Sequence, residues 1–326
     1  QDTSSKFLGP GWTACTPEQE ANIKVWNQVT MTTGLDDGYG DKDCTLDTCL
    51  VYKADPGTRW AYHNAPYTLL DGVIEAATGQ TLNNFHLTRV KQKTGMTGLY
   101  VHLDYNNVYF STARSMARFG LLMLNKGKWN TTAVLSDTAY YSQMINTSQN
   151  INQSYGYLWW LNGKSSFHMP STQIQFPGSI IPNAPTDMFA ALGKNDQKVH
   201  VVPSQNLVLI RMGDAAYANE LVPLTLDDDI WYWMNKLLCT QTGIDEASTL
   251  QLSAYPNPAN NELHIKLPIG NYSISIYNLA GQQVYEGNTT GNSTISTTAL
   301  SQGTFILKAT NTISGVTARL RFSKTM

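Results

Sequence analysis

The texture of the chain changes near residue 245, and that change sets how many folded units it can form. Up to about Cys239, apolar residues at helical spacing alternate with short apolar runs. Beyond Leu250 the segments His264–Leu267, Tyr272–Tyr277, Gln282–Tyr285, Thr294–Ser296, Thr304–Ala309 and Thr317–Phe322 alternate or are β-branched, with Gly, Asn and Ser between them. Period-two patterning with frequent turn residues predicts a small all-β sandwich. The stretch between is small and polar, as a linker would be. The expected plan is therefore a first domain over 1–243, a linker over 244–251 and a second domain over 252–326. A chain of 326 residues is long enough for each to have a core.

The first domain reads as α+β. Ser115–Asn125 places apolar residues on one helical face, with Ser111 or Thr112 available as N-cap. Ala65–Thr78 reads the same way, with Pro66 near its first turn and Gly79 just past its end. Val199–Val202 and Leu207–Met212 flank Pro203-Ser-Gln-Asn206, a hairpin signal. Asp227–Leu238 closes the domain as an aromatic-rich helix bearing Trp231 and Trp233.

Composition removes several classes of function. Net charge is −2 and no Lys/Arg block occurs, so neither nucleic acid nor an anionic membrane is an expected partner. No apolar run approaches the roughly 18 residues of a membrane span. The chain opens on Gln1 without a signal peptide, and is read as starting after processing, after trimming or in the middle of a gene.

Cys44 and Cys49 stand in Asp-Cys-Thr-Leu-Asp-Thr-Cys, where two thiols can close a small ring. No His pair at metal-finger spacing accompanies them, so a disulfide in an oxidising compartment is expected rather than zinc. A Cys15–Cys239 pair stays open. Asp36, Asp37, Asp41, Asp43 and Asp47 crowd the same loop. Their spacing does not fit an EF-hand, and they are read as a solvated acidic rim without metal.

The last 75 residues, from Leu252-Ser-Ala-Tyr-Pro-Asn-Pro-Ala259 through Tyr272-Ser-Ile-Ser-Ile-Tyr-Asn-Leu-Ala-Gly-Gln282 and Leu300-Ser-Gln-Gly-Thr-Phe-Ile306 to Arg319-Leu-Arg-Phe-Ser-Lys324, resemble the C-terminal sorting domain of the type IX secretion system of Bacteroidetes. Pro256 and Pro258 would stiffen its approach. Gly281 would permit a tight turn, and Tyr277 and Phe305 are expected in its core. The resemblance implies handling of residues 252–326 by that secretion machinery, and a secreted or cell-surface location.

Four stretches of the first domain, in order, resemble the serine β-lactamase-like hydrolases, which include class C β-lactamases, penicillin-binding proteins and related esterases. They are Ser5-Lys-Phe-Leu-Gly-Pro10, Ile23–Leu35 with Val29-Thr-Met-Thr-Thr-Gly-Leu35, Pro56-Gly-Thr-Arg-Trp-Ala-Tyr-His-Asn64, and Phe189-Ala-Ala-Leu-Gly-Lys-Asn-Asp-Gln197. The resemblance implies a β-lactamase/transpeptidase-like fold, an antiparallel sheet with helices, here lacking its N-terminal part. Acyl transfer to a serine needs a base for the hydroxyl proton and donors for the oxyanion. Carried over, Tyr62 is the catalytic base and Lys194 its electrostatic partner. Asn64, Asn195 and Gln197 would face the substrate, with the Gln197 N–H as an oxyanion donor. His63 is read as filler.

Lys194-Asn-Asp196 stands where the family has Lys-Thr-Gly. Asp196 would place a charge where the strand usually passes close to substrate, which favours acyl substrates other than β-lactams. The family's Ser-x-x-Lys precedes the segment at which this chain begins. Thr3-Ser-Ser-Lys6 has Thr at the nucleophile position and belongs to the later segment. The implied protein is a serine hydrolase acting on an ester or amide of a small-molecule or peptide acyl substrate, without cofactor, and this piece alone is expected to be inactive. The competing reading is a non-catalytic surface binding or adhesion protein that keeps the fold as scaffold.

Overall fold

A computed structural model describes residues 2–216, 224–238 and 250–325. The chain divides into two compact units, Gln1–Leu238 and Cys239–Met326.

The first unit is built on a four-stranded antiparallel sheet. Its strands are β1 (Trp160–Leu161), β2 (Phe189–Gly193), β3 (Gln197–Val202) and β4 (Leu207–Arg211), in the order β4-β3-β2-β1. The β3–β4 connection is the hairpin expected at Pro203-Ser-Gln-Asn206, with Asn206 left-handed at φ 48°. Because side chains alternate across a strand, Val199 and Val201 point to one face, and Lys198, His200 and Val202 to the other. The first face packs with Phe189 against α3 (Ala113–Leu124), through Met116, Phe119 and Met123. Thr112 caps that helix by accepting from the Ser115 N–H. Gly120 lets it come close, since a Cβ there would lie 2.4 Å from Val208 Cγ1. The opposite face packs Ala190 and Val202 with Trp231 of α4 (Leu224–Leu237).

The helix expected over Ala65–Thr78 is two helices, α1 (Asn64–Thr68) and α2 (Leu70–Thr78), the second ending on Gly79 at φ 66°. The Cys44–Cys49 disulfide is present. Cys239, of the Cys15–Cys239 pair, lies outside the described residues; Cys15 is half-buried and has no disulfide partner among the described residues. The acidic loop departs from a solvated rim. Asp37 is buried against Arg59 at 2.5 Å, and Asp36 pairs with Lys53 at 3.0 Å. Asp41 accepts from the Asp43 N–H, and Asp47 from the Thr48 N–H.

The second unit is an all-β sandwich of two antiparallel sheets. One orders β5 (Ser253–Tyr255), β6 (Glu262–Lys266) and β9 (Ser293–Ser296) as β5-β6-β9. The other orders β7 (Tyr272–Asn278), β8 (Gln283–Thr289), β10 (Gly303–Asn311) and β11 (Thr317–Lys324) as β8-β7-β10-β11. Leu263, Ile265, Tyr272, Ile274, Ile276 and Phe322 are among the residues buried in its core. Phe305 joins them, stacked on Phe322 at 5.6 Å. Tyr277 does not. It is an odd number of residues from Tyr272 and therefore points to the other face, where it is half-buried.

Candidate active site

The segment Pro56–Asn64 is laid down against residues 31–43. The Gly57 N–H donates to the Thr32 carbonyl at 2.8 Å, and the Ala61 N–H to the Met31 carbonyl at 2.9 Å. Gly34 turns the underlying chain at φ 79°, and any Cβ there would sit 2.0 Å from the Ala54 carbonyl oxygen. The Thr-Thr-Gly-Leu turn therefore needs its glycine for close approach as well as for torsion. The Ala65 N–H closes the register on the Lys42 carbonyl at 3.0 Å.

This backbone delivers Tyr62 into an aromatic cage. Its ring stacks on Trp160 at 5.7 Å, and meets Tyr67 at 6.2 Å and Tyr155 at 6.3 Å edge to face. Burial, reinforced by Tyr67, pushes the Tyr62 hydroxyl well above the ordinary phenol range. Tyr62 and Gln197 line one cavity of about 310 Å³, together with Tyr155, Trp160, Leu192 and Gly193. Asn64 and Lys194 line a larger one of about 1150 Å³, with Asp43 and Asp71. Tyr67 and Leu158 border both. Strand β1 pairs only with Phe189 and Ala190 of β2. Beyond Ala190 the outer edge of β2 has no strand partner among the described residues, so backbone groups of Ala191–Gly193 are open beside Tyr62.

Lys194–Asp196 forms a three-residue turn between β2 and β3 rather than part of a strand. Asn195 and Asp196 hold positive φ of 56° and 60°. Lys194 is exposed, and its ammonium has no hydrogen-bond or ion-pair partner among the described residues. Asn195 borders neither cavity; its carbonyl accepts from Gln197 Nε2 at 2.8 Å and Arg211 Nη1 at 3.3 Å. The Gln197 side chain is committed to this turn and to Gly213. Asp196 does not face the cavity as its place in the box suggested. The left-handed turn carries its carboxylate inward, where it is fully buried, accepts from the Ala216 N–H at 2.8 Å and lies 3.2 Å from Lys198 Nζ.

Behind β3 lies a charged cluster that single-sequence reading did not find. Lys198 Nζ donates to Asp227 Oδ2 at 2.7 Å, and His200 Nε2 lies 2.7 Å from Asp227 Oδ1. Trp231 Nε1 is 3.0 Å from His200 Nδ1. An indole N–H only donates, so Nδ1 is bare and Nε2 carries the proton given to Asp227. Asp196, Lys198, His200, Asp227 and Trp231 are all fully buried. Asp43 was also missed as a site residue: its carboxylate accepts from Asn64 Nδ2.

Residues 17–224 match the Beta-lactamase family model. The chain belongs to the Beta-lactamase family. Residues 253–321 match the model of the secretion system C-terminal sorting domain. This type IX sorting domain marks the beta-lactamase-family chain for export to the cell surface or beyond, and implies the secretion machinery as its partner. Among solved structures, the chain is similar to a protein described as a 6-aminohexanoate-dimer hydrolase from Bacillus anthracis, at 19% identity over 72% of this chain and 66% of that one, with TM-score 0.51. It therefore spans 66% of that protein's length. It is also similar to an octameric penicillin-binding protein homologue from Pyrococcus abyssi, at 11% identity over 100% of this chain and 79% of that one, with TM-score 0.48. Comparison with curated proteins finds no match. Family and fold together make the first unit hydrolase-like. No helix among the described residues is long and apolar enough to cross a membrane.

Proposed function

We propose that this chain carries the base and substrate-binding side of an exported serine hydrolase, which cleaves an ester or amide through an acyl-enzyme. The observation that carries the reading is the cavity in which Tyr62 faces the unpaired edge of β2, with Asn64 and Lys194 on the adjoining wall. In this reaction a serine oxygen adds to the acyl carbon and its proton passes to the Tyr62 oxygen. That proton then goes to the departing alcohol or amine, and water releases the acyl group. The carbonyl oxygen takes up negative charge and needs N–H donors, a role we give to the open backbone around Gly193 and to the Asn64 amide.

A phenol held above its ordinary range by its aromatic surround keeps its proton. Tyr62 therefore works as a base only with a cation brought to its oxygen. Lys194, exposed at the cavity wall, is one such cation, and the lysine of a Ser-x-x-Lys pair is the second.

The test is turnover of p-nitrophenyl acetate by the full-length gene product. Tyr62→Phe is expected to lower kcat by about 10²–10⁴-fold, the range for loss of a positioned proton acceptor. Lys194→Ala is expected to lower it by at least about tenfold, and neither change should shift the melting temperature appreciably. Near-parental rates for both variants would remove the site assignment. A full-length product that binds acyl compounds without ever releasing p-nitrophenol would favour the binding-protein reading.

A further inference from the structure

We infer that Asp43 is a positioning residue for Asn64, and that the Cys44–Cys49 disulfide holds Asp43 in place, so that oxidation completes the site. The inference rests on the substrate-facing role given to Asn64 above.

The Asp43 carboxylate accepts from Asn64 Nδ2. An ionised carboxylate offers only acceptors. The Asn64 amide must therefore turn its nitrogen to Asp43, which leaves Oδ1 and the second N–H for the cavity that both residues line. Without that partner the amide is free to rotate by half a turn and exchange donor for acceptor. Asp43 is itself held from below. Its N–H donates to Asp41 Oδ1 at 3.0 Å, and the Cys44 N–H donates to the Asp41 carbonyl at 3.1 Å.

The disulfide closes a ring whose two flanks press on the same turn of helix. On one side Asp43 meets Asn64. On the other, Leu50 is fully buried in a cluster with Ile23, Leu35 and Ala65. Between them Leu46, Asp47 and Thr48 are exposed, and the only regular structure is one turn over Asp47–Cys49. Cys44 is itself buried, but packing gives the exposed tip of the ring little reason to keep its shape. An external dithiol would break the S–S bond, place two electrons and two protons on the cysteine sulfurs, and become a cyclic disulfide itself. The cytoplasm keeps thiols reduced, and compartments beyond the inner membrane do not. A chain sorted for export would then acquire a correctly set Asn64 only after leaving the cytoplasm.

The experiment has two arms. In the first, p-nitrophenyl acetate turnover by the full-length product is measured for Asp43→Ala, Asp43→Asn, Asn64→Ala and Cys44→Ser/Cys49→Ser, each checked for an unchanged melting transition. Asp43→Ala and the double serine variant are expected to lose about tenfold or more in kcat, the scale of a mis-set catalytic group. Asp43→Asn, whose Oδ1 accepts the same hydrogen bond, should recover most of that loss. Asp43→Ala should add nothing once Asn64 is alanine. Full rates for Asp43→Ala, or losses that simply add to those of Asn64→Ala, overturn the inference.

The second arm needs no turnover and uses this chain. The Asn64 side-chain amide resonances in a ¹⁵N spectrum should move in Asp43→Ala and on reduction with dithiothreitol, and stay near their places in Asp43→Asn. Resonances unmoved by reduction overturn the inference whatever the enzyme does. If the oxidised full-length product shows no turnover, the functional reading fails and the spectral arm alone decides whether Asp43 sets Asn64.

Discussion

Tyr62 and Lys198 line the same cavity, yet they are caged in opposite ways. Around Tyr62 stand the rings of Trp160, Tyr67 and Tyr155. Around Lys198 stand two carboxylates, Asp227 at 2.7 Å and Asp196 at 3.2 Å. Lys198 is fully buried and Tyr62 half-buried, and a charge out of water is costly unless paired. Tyr62 sits in a neutral aromatic surround, whereas the buried charge of Lys198, on the same face of the sheet, is compensated by Asp227 of α4. The difference matters for chemistry. Lys198, next in sequence to the site segment Lys194–Gln197, is already bonded to Asp227, so the phenol must draw its cation from elsewhere along the cavities. A positively charged residue near a tyrosine is therefore not enough to assign a base; what that cation is bonded to decides.

The sharpest way to break this contrast is Asp227→Ala. It leaves Lys198 without its closest carboxylate and His200 Nε2–H without its acceptor, all within a fully buried cluster. Removing one partner of such a pair costs roughly 3–5 kcal/mol. Urea denaturation of the first unit, followed by tryptophan fluorescence, should show that loss. A change below about 1 kcal/mol would mean that water reaches the cluster and that the two cages are alike.

Sequence made some of these features legible and hid others for physical reasons. Local chemistry was visible. Thr112 before an apolar face, Gly79 after one, and Pro203-Ser-Gln-Asn206 between two runs each specify a backbone within a few residues. The sandwich strands and the Cys44–Cys49 ring were visible for the same reason. The buried cluster was not. Lys198 and Asp227 are 29 residues apart, and nothing local says that two charged residues will face each other in a core. Asp196 was misjudged because its direction depends on two successive positive φ angles. The family segments located Tyr62 and Asn64, but neither the aromatic cage nor the Asp43 contact is written in those motifs.

His63, next to Tyr62, gives a smaller effect that sharpens the comparison from the neutral side. Its ring is buried, and Nδ1 has no hydrogen-bond partner. Burial lowers its pKa to about 4, against an opposing pull from Asp37 and Asp36. The unfolded chain then takes up a proton near the ordinary value of about 6.5, which the folded chain refuses until about pH 4. Stability from this group is whole above pH 6.5 and is lost as pH falls, by about 1.4 kcal/mol per unit, or about 2 kcal/mol by pH 5. His63→Asn should flatten the stability of the first unit between pH 6.5 and 4. An unchanged slope would mean that His63 is hydrated and that the cage does not extend past Tyr62.

Tyr62 itself should give the smallest change, at the other end of the pH scale. Burial raises its phenol, so above about pH 10 the unfolded chain releases a proton that the folded chain retains. The stability tied to that proton is complete below pH 10 and declines as pH rises, by about 1.4 kcal/mol at pH 11. Tyr67 and Tyr155 are shifted the same way, so Tyr62→Phe removes only part of the decline. The absorbance of tyrosinate near 295 nm, followed in the parent and in Tyr62→Phe, isolates the residue. The difference should show no phenolate at pH 10.5 in the folded chain, and about three-quarters of one on unfolding. Ionisation of Tyr62 in the folded chain near pH 10 would show that a cation already reaches its oxygen. The contrast with Lys198 would then be one of degree, and the phenol would be ready to act as a base without a second lysine.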